Sequence, residues 1–153
     1  MVTKINALRQ RYFQNISGKE ALVELILESE TAEHVYNSNA IENSTLTLNE
    51  TEKILLDLDL ERYINERELF EAKNLARVNK YIQTKAVESN LSLDVILILH
   101  KFLLSNIQDE IAGRFRLDNE YVRVGSHIAT HPKNISSELT AAINQFNGNI
   151  SQN

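Results

Sequence analysis

The stretch Tyr36-Asn37-Ser38-Asn39-Ala40-Ile41-Glu42-Asn43-Ser44-Thr45-Leu46-Thr47-Leu48-Asn49-Glu50 decides how this chain is read. Its end, Thr47-Leu48-Asn49-Glu50, has the form of a capping box. The threonine hydroxyl can accept the backbone N–H three residues on, and the glutamate can reach back to the threonine N–H. A helix is therefore predicted to open there and run through Ile54, Leu55 and Leu58. Upstream, residues 31–46 must hold a short helix and a connection. If 31–43 is helical, Ser38 and Glu42 form an i,i+4 pair on one face, with Ile41 turned to a different surface. Taken alone, this is a helix end bearing a carboxylate, followed by a turn.

Working outward, the chain has only four Gly and one Pro, and all but Gly18 fall after residue 112. The first two thirds therefore read as helices. Ser17-Gly18-Lys19-Glu20 has the form of another capping box and predicts a helix from about Lys19 to Ser29. From Glu66 to about Ser89, Leu69, Ala72, Leu75, Ala76, Ile82 and Ala86 share one helical stripe with Asn79 inside it. This predicts a long core-facing helix whose Asn79 is a hydrogen-bonded interior residue rather than a ligand. Ser92 can cap the next helix, where the apolar residues from Leu93 to Leu104 leave almost no polar face, so it reads as the central buried helix.

After Asn106 the style changes. Gly113 is followed by Arg114-Phe115-Arg116, and then Tyr121-Val122-Arg123-Val124-Gly125 alternates as a short strand does. A β-hairpin is the natural reading, followed by a last helix over residues 135–146 and a polar, frayed tail. The expected fold is mainly α with one small hairpin, and neither an internal repeat nor a domain linker is visible.

Composition narrows the function classes. With 153 residues, 42% hydrophobic and 24% charged, the chain reads as one soluble globular domain rather than a disordered one. Sixteen Lys and Arg against twenty-one Asp and Glu give a net charge of −5 and a pI near 5.4. That balance disfavours nucleic acid, because Arg114, Arg116 and Arg123 are a small basic cluster on a negative whole. The absence of cysteine removes disulfides, thiolate metal sites and cysteine nucleophiles, and fits a cytoplasmic address. The start of the chain has no signal-like apolar run, and Val95 to Leu99 is too short to span a bilayer, so no membrane partner is expected. Six Asn-x-Ser/Thr triplets carry no weight without secretion.

The histidines give no metal site. His127 and His131 are four apart, a spacing that shares a face only in a helix, and Gly125 and Pro132 argue against one there. They read as exposed loop residues, while His100, in the apolar helix, reads as a satisfied core residue. No nucleophile triad can be argued from spacing, and no glycine-rich phosphate loop is present. No catalytic residue and no metal ligand is assigned.

Taken together and in order, several segments resemble the Fic family of protein adenylyltransferases over roughly residues 20 to 140. They are Ser38-Asn-Ala-Ile-Glu42-Asn43, Thr45-Leu-Thr-Leu-x-Glu50, Ala72-Lys-Asn-Leu-Ala76, Leu99-His100-Lys-Phe-Leu-Leu104, Ala112-Gly-Arg-Phe-Arg116 and Val122-Arg-Val-Gly125. The resemblance implies a Fic-like helical bundle, shortened on its C-terminal side. Residues 1–46 would be N-terminal helices with an inhibitory motif, 47–147 a partial core with a flap at about 114–131, and 148–153 a polar tail. Ser38, Glu42 and Asn43 look like the family's inhibitory motif, [S/T]-x-x-x-E-[G/N], in the class that carries it N-terminal to the core. Glu42 would pair with an arginine of the catalytic loop and fill the space wanted by the ATP γ-phosphate, with Ser38 and Asn43 steadying it. Tyr121, Val122, Arg123, Val124 and Gly125 resemble the flap, which holds an extended protein target by main-chain pairing.

The departure matters equally. Fic enzymes carry H-x-F-x-[D/E]-G-N-G-R-x-x-R after the flap, and these 153 residues contain no such stretch. His131-Pro132 is followed by Lys133-Asn134-Ile135 and is predicted to be a turn. The complete family enzyme uses ATP and Mg to transfer AMP to a protein hydroxyl. This chain alone is expected to bind no cofactor and to be inactive. Its expected partners are a protein target on the flap and a second copy or a full-length Fic relative. The alternative is a non-enzymatic Fic-like module that inhibits in trans by offering Glu42.

Overall fold

Between Gly18 and Gly113 the sequence contains neither glycine nor proline, and the backbone there forms long helices. The computed structural model describes residues 2–85 and 90–151. Among them the order is α1 (Val2–Ile16), α2 (Glu20–Ile41), α3 (Leu48–Leu55), α4 (Glu66–Lys85), α5 (Leu93–Leu104), β1 (Arg123–Val124), β2 (His127–Ile128) and α6 (Pro132–Ser151). The fold is mainly helical with one two-stranded antiparallel sheet, as the sequence predicts.

The hub is α4. Helices α2, α3 and α5 all pack on it, and α6 packs on α5. The core is built by Val35 of α2, Leu46, Ile54 of α3, Ile64 and Ala72 of α4. Val35 and Ala72 are fully buried within this cluster. Burying a valine side chain contributes about 1.5–3 kcal/mol, so Val35 is a principal anchor of α2.

Several boundaries differ from the sequence reading. Residues 20–41 form one continuous helix instead of a helix ending near Ser29 and a second short one, because nothing between them breaks the backbone. The Ser17 box does not form. Gly18 takes a φ of 76°, Glu20 Oε1 accepts the Gly18 N–H at 2.9 Å, and Lys19 occupies the N-cap position without a side-chain bond. Residues 2–16, to which the sequence reading assigned no separate element, form α1.

The Thr47 box does form. Thr47 Oγ1 accepts the Glu50 N–H at 3.2 Å, and Glu50 Oε2 accepts the Thr47 N–H at 2.8 Å. Helix α3 stops at Leu55, short of Leu58, where Asp57 turns left-handed at φ 53° and the Leu58 N–H donates to the Lys53 carbonyl at 2.8 Å. Helix α4 starts at Glu66 as predicted; Ala86 and Ser89, placed on it by the sequence reading, lie outside the described residues.

Ser92 caps α5, its Oγ accepting the Val95 N–H at 3.2 Å. The helix is not the buried centre, since Ile98 and Leu103 keep 38% and 39% of their surface exposed. Among the described residues only α4 and α6 pack extensively along it, and a helix apolar on all sides needs neighbours on all sides to be buried. The interior asparagine is Asn74 rather than Asn79, which is half-buried. Asn74 Nδ2 donates to the Leu103 carbonyl at 3.1 Å and the Ser105 carbonyl at 2.7 Å, satisfying acceptors that the end of α5 leaves open. Helix α6 is longer than predicted and takes in most of the stretch read as a frayed tail; residues 152–153 lie outside the described ones. The turn predicted at His131-Pro132 is its first step, with proline at the first helical position, where no N–H is missed.

Candidate functional site

Ser38 and Glu42 are one turn apart on α2 and both are exposed, while Val35 and Asn39 face inward and are buried. Glu42 is the C-cap residue at φ −88°, and its N–H donates to the Asn39 carbonyl at 3.0 Å. Asn43 follows in the left-handed region at φ 65°, with its own N–H on the Ala40 carbonyl at 3.2 Å and the Ser44 N–H on the Asn39 carbonyl at 3.0 Å. A residue just past a helix end in that conformation is most often glycine, and asparagine is the common substitute. The backbone thus supplies a physical reason for glycine or asparagine after the glutamate.

The connection that follows is clamped. One carboxylate, Glu68 on the first turn of α4, accepts from Ser44 Oγ at 3.1 Å, from the Thr45 backbone N–H, and from Thr45 Oγ1 at 3.0 Å. The Thr45 N–H, with the two hydroxyls, holds the Glu68 carboxyl below its usual range. From the other side Arg62 Nη2 donates to the Thr45 carbonyl at 3.0 Å while Arg62 Nε is paired with Glu50. The Arg62 guanidinium, followed by the Thr47 N–H, pulls the Glu50 carboxyl down to about 2. Residues 44–47 are therefore tied to both α3 and α4, and the end of α2 is fixed to the core. Sequence reasoning saw Glu50 through its capping box; it missed Glu68 and Arg62, whose partners lie 12 to 24 residues away.

The hairpin is braced separately. Strands β1 and β2 pair antiparallel with Arg123 opposite Ile128 and Val124 opposite His127. Gly125 at φ 60° is the first of the two turn residues, the position where a II′ hairpin turn demands glycine. Tyr121, Val122, Val124 and Ile128 are all exposed. At its base Arg114 makes a bidentate pair with Glu120, both bonds 2.7 Å. This arginine, followed by the Leu117 N–H, pulls the Glu120 carboxyl down to about 2. Arg116 Nη2 donates to the Thr130 carbonyl at 2.7 Å, linking the two sides of the base.

Two histidines serve this brace. His100 Nδ1 accepts the Gly113 N–H at 3.1 Å, which fits the satisfied residue expected from sequence. His131 Nδ1 accepts the Lys133 N–H at 3.3 Å, and its Nε2 is hydrogen-bonded to the Tyr121 hydroxyl at 3.0 Å. His131 thus joins the start of α6 to Tyr121 before the hairpin, and His127 is exposed on β2. Among the described residues, no hydrogen bond or ion pair joins the Glu42 end of α2 to the hairpin, and α4 is the element that relates them, through α2 on one side and α5 on the other. A groove of about 1150 Å³ between α2, α3 and α4 lies apart, with neither residues 38–43 nor residues 121–128 lining it.

No family model matches the chain. It is similar to the protein adenylyltransferase Fic of Nematostella vectensis, 25% identical over 146 residues that cover 92% of this chain and 33% of that protein. The protein adenylyltransferases Fic of Drosophila persimilis and Drosophila melanogaster are each 28% identical over 86% of this chain, which spans 28% and 29% of their lengths. The chain thus spans a third or less of these curated relatives. In fold it is similar to a solved glutamate-to-glycine variant of Fic-1 from C. elegans, with a TM-score of 0.63 and 20% identity, over 94% of this chain and 46% of that one. Over most of its length the chain is thus similar in sequence to protein adenylyltransferases Fic and in fold to a Fic-1 structure.

Proposed function

We propose that this chain is the regulatory and target-docking portion of a protein adenylyltransferase, with Glu42 as an inhibitory carboxylate and residues 121–125 as the segment that receives the target. The observation that carries the reading is the end of α2: Glu42 is exposed, no ion pair among the described residues engages it, and the connection behind it is tied down by Glu68 and Arg62. A carboxylate held on a fixed backbone and left without an arginine suits a partner from elsewhere, and an Arg–carboxylate pair is bidentate and strong when shielded. Ser38 and Asn43 support it, Asn43 by accepting the left-handed conformation.

AMP transfer needs a base for the target hydroxyl, magnesium and donors for the phosphates, because phosphoryl-type transfer depends on positioning and charge compensation. The 153 residues contain no H-x-F-x-[D/E]-G-N-G-R-x-x-R stretch, so the chain alone transfers no AMP, and ATP and magnesium belong to a protein that has that loop. Incubation of the purified chain with labelled ATP and magnesium is expected to leave both it and added protein acceptors unlabelled. Labelled AMP on either overturns the reading. The exposed, unengaged Glu42 also favours a second reading, in which the chain inhibits a complete relative in trans. Suppression of a relative's AMP transfer by the added chain, lost with Glu42→Gly, supports it, and equal suppression by both forms contradicts it.

A further inference from the structure

Helix α1 packs extensively against no other element among the described residues, although Ile5, Leu8 and Tyr12 lie on one stripe and each is about half exposed. Phe13 lies beside that stripe, under the Arg9 guanidinium at 5.7 Å. The helix carries Lys4, Arg9 and Arg11 and no acidic residue. At 100° per residue, Lys4 and Arg11 fall on one flank of the stripe and Arg9 and Phe13 on the other.

The molecule also carries a surface of opposite character. The groove between the N-terminal half of α2, the end of α3 and the C-terminal half of α4 has an apolar floor that includes Val23, Leu27 and Leu55. Its α2 and α3 lips carry Glu20, Glu24 and Glu52, and its far wall carries Arg77 and Lys80. Helix α2 contains no Lys or Arg at all. The α2 wall from Glu20 to Ala32 is about 18 Å long, against about 22 Å for the fifteen residues of α1. Length and apolar stripe therefore match between helix and groove, and the Lys4–Arg11 flank is opposite in charge to the carboxylates of the α2 and α3 lips, whereas Arg9 has the same sign as Arg77 and Lys80 of the far wall.

We propose that α1 of one copy lies in this groove of a second copy, and that the exchange is reciprocal, giving a twofold dimer. The Lys4–Arg11 flank faces the carboxylates of the α2 and α3 lips, and the Phe13 flank covers the α4 side. In its own chain α1 reaches the groove only at its last residue, Ile16, which lines one end. Gly18, at φ 76° with nothing within 4 Å of an added Cβ, lies in the connection between α1 and α2. A reciprocal exchange buries both stripes and leaves no groove open, the property of a closed isologous contact. This inference is independent of the role of Glu42.

Sedimentation velocity of the full chain over a range of concentrations tests it. A monomer–dimer equilibrium is expected, with the dimer at twice the 17.5 kDa chain mass. Leu8→Asp with Tyr12→Asp, on an exposed face that the folded body does not need, is expected to give a monomer at every concentration with unchanged helicity. Lys4→Glu with Arg11→Glu is expected to weaken the dimer at least tenfold, and adding Glu24→Lys with Glu52→Lys to restore it. The chain has no cysteine, so a Leu8→Cys preparation mixed with a Lys80→Cys preparation and a short bis-maleimide gives an unambiguous cross-link. Covalent dimers support the proposal. A monomer at all concentrations, a dimer indifferent to the α1 substitutions, or a double-cysteine chain that links only to itself overturns it.

Discussion

At Gly113 an added methyl would stand 2.9 Å from Lys101 Cβ and 3.3 Å from the Leu97 carbonyl oxygen, on a backbone at φ 73°. Both the contact and the conformation oppose a side chain, so Gly113→Ala is expected to cost about 1–3 kcal/mol, read as a lower midpoint in urea unfolding. Asn43 is a milder case. Asn43→Gly is expected to be near neutral, whereas Asn43→Val, β-branched at φ 65°, is expected to cost about 1–2 kcal/mol by the same measurement. Asn74→Ala leaves the Leu103 and Ser105 carbonyls without their donor and is expected to cost about 1–3 kcal/mol. The sequence pointed to an interior asparagine on α4 but chose Asn79, since the apolar stripe marks the face toward the largest group of neighbours. Asn74 lies off that stripe, and it is buried because α5 covers α4 from another direction. No periodicity within one helix records where a second helix will lie.

Among the elements, those with their stop and start signals close together in sequence were legible. Thr47 and Glu50 predicted the start of α3, and Ser92 that of α5, because both partners of each cap lie within one turn. The Ser17 box failed because Gly18 can turn left-handed and move the helix start on to Glu20. The clamp behind Glu42 was not legible, since Glu68 and Thr45 meet only after α3 has folded back. It makes a prediction in pH. The Glu50 and Glu120 carboxyls are drawn from an ordinary 4.5 to about 2 by Arg62 and Arg114. Their stabilising contribution is complete above the ordinary value and disappears as pH falls from about 4.5 towards 2. The urea midpoint is expected to fall over that window, and Glu50→Gln with Glu120→Gln to flatten the fall while lowering the midpoint near neutrality. A window centred well above pH 5 would contradict it.

Across the whole molecule, the class of fold and the place of the hairpin are legible in the sequence, yet the centre is misplaced. Helix α5 is the most apolar by pattern, but α4 is the hub, because burial depends on how many neighbours a helix meets and not on its composition alone. The chain matches 46% of the Fic-1 chain and a third or less of its curated relatives. A carboxylate poised against a nucleotide site has its full meaning only beside that site, so the claim about Glu42 is tested most directly where the catalytic loop is supplied. A chimaera can be made in which this chain replaces the matching 146 residues of the Nematostella relative, and labelled-AMP transfer measured with Glu42 and with Glu42→Gly. The account predicts transfer near background with Glu42 and at least tenfold higher with glycine; equal transfer by both forms, in a chimaera that binds ATP, would contradict it.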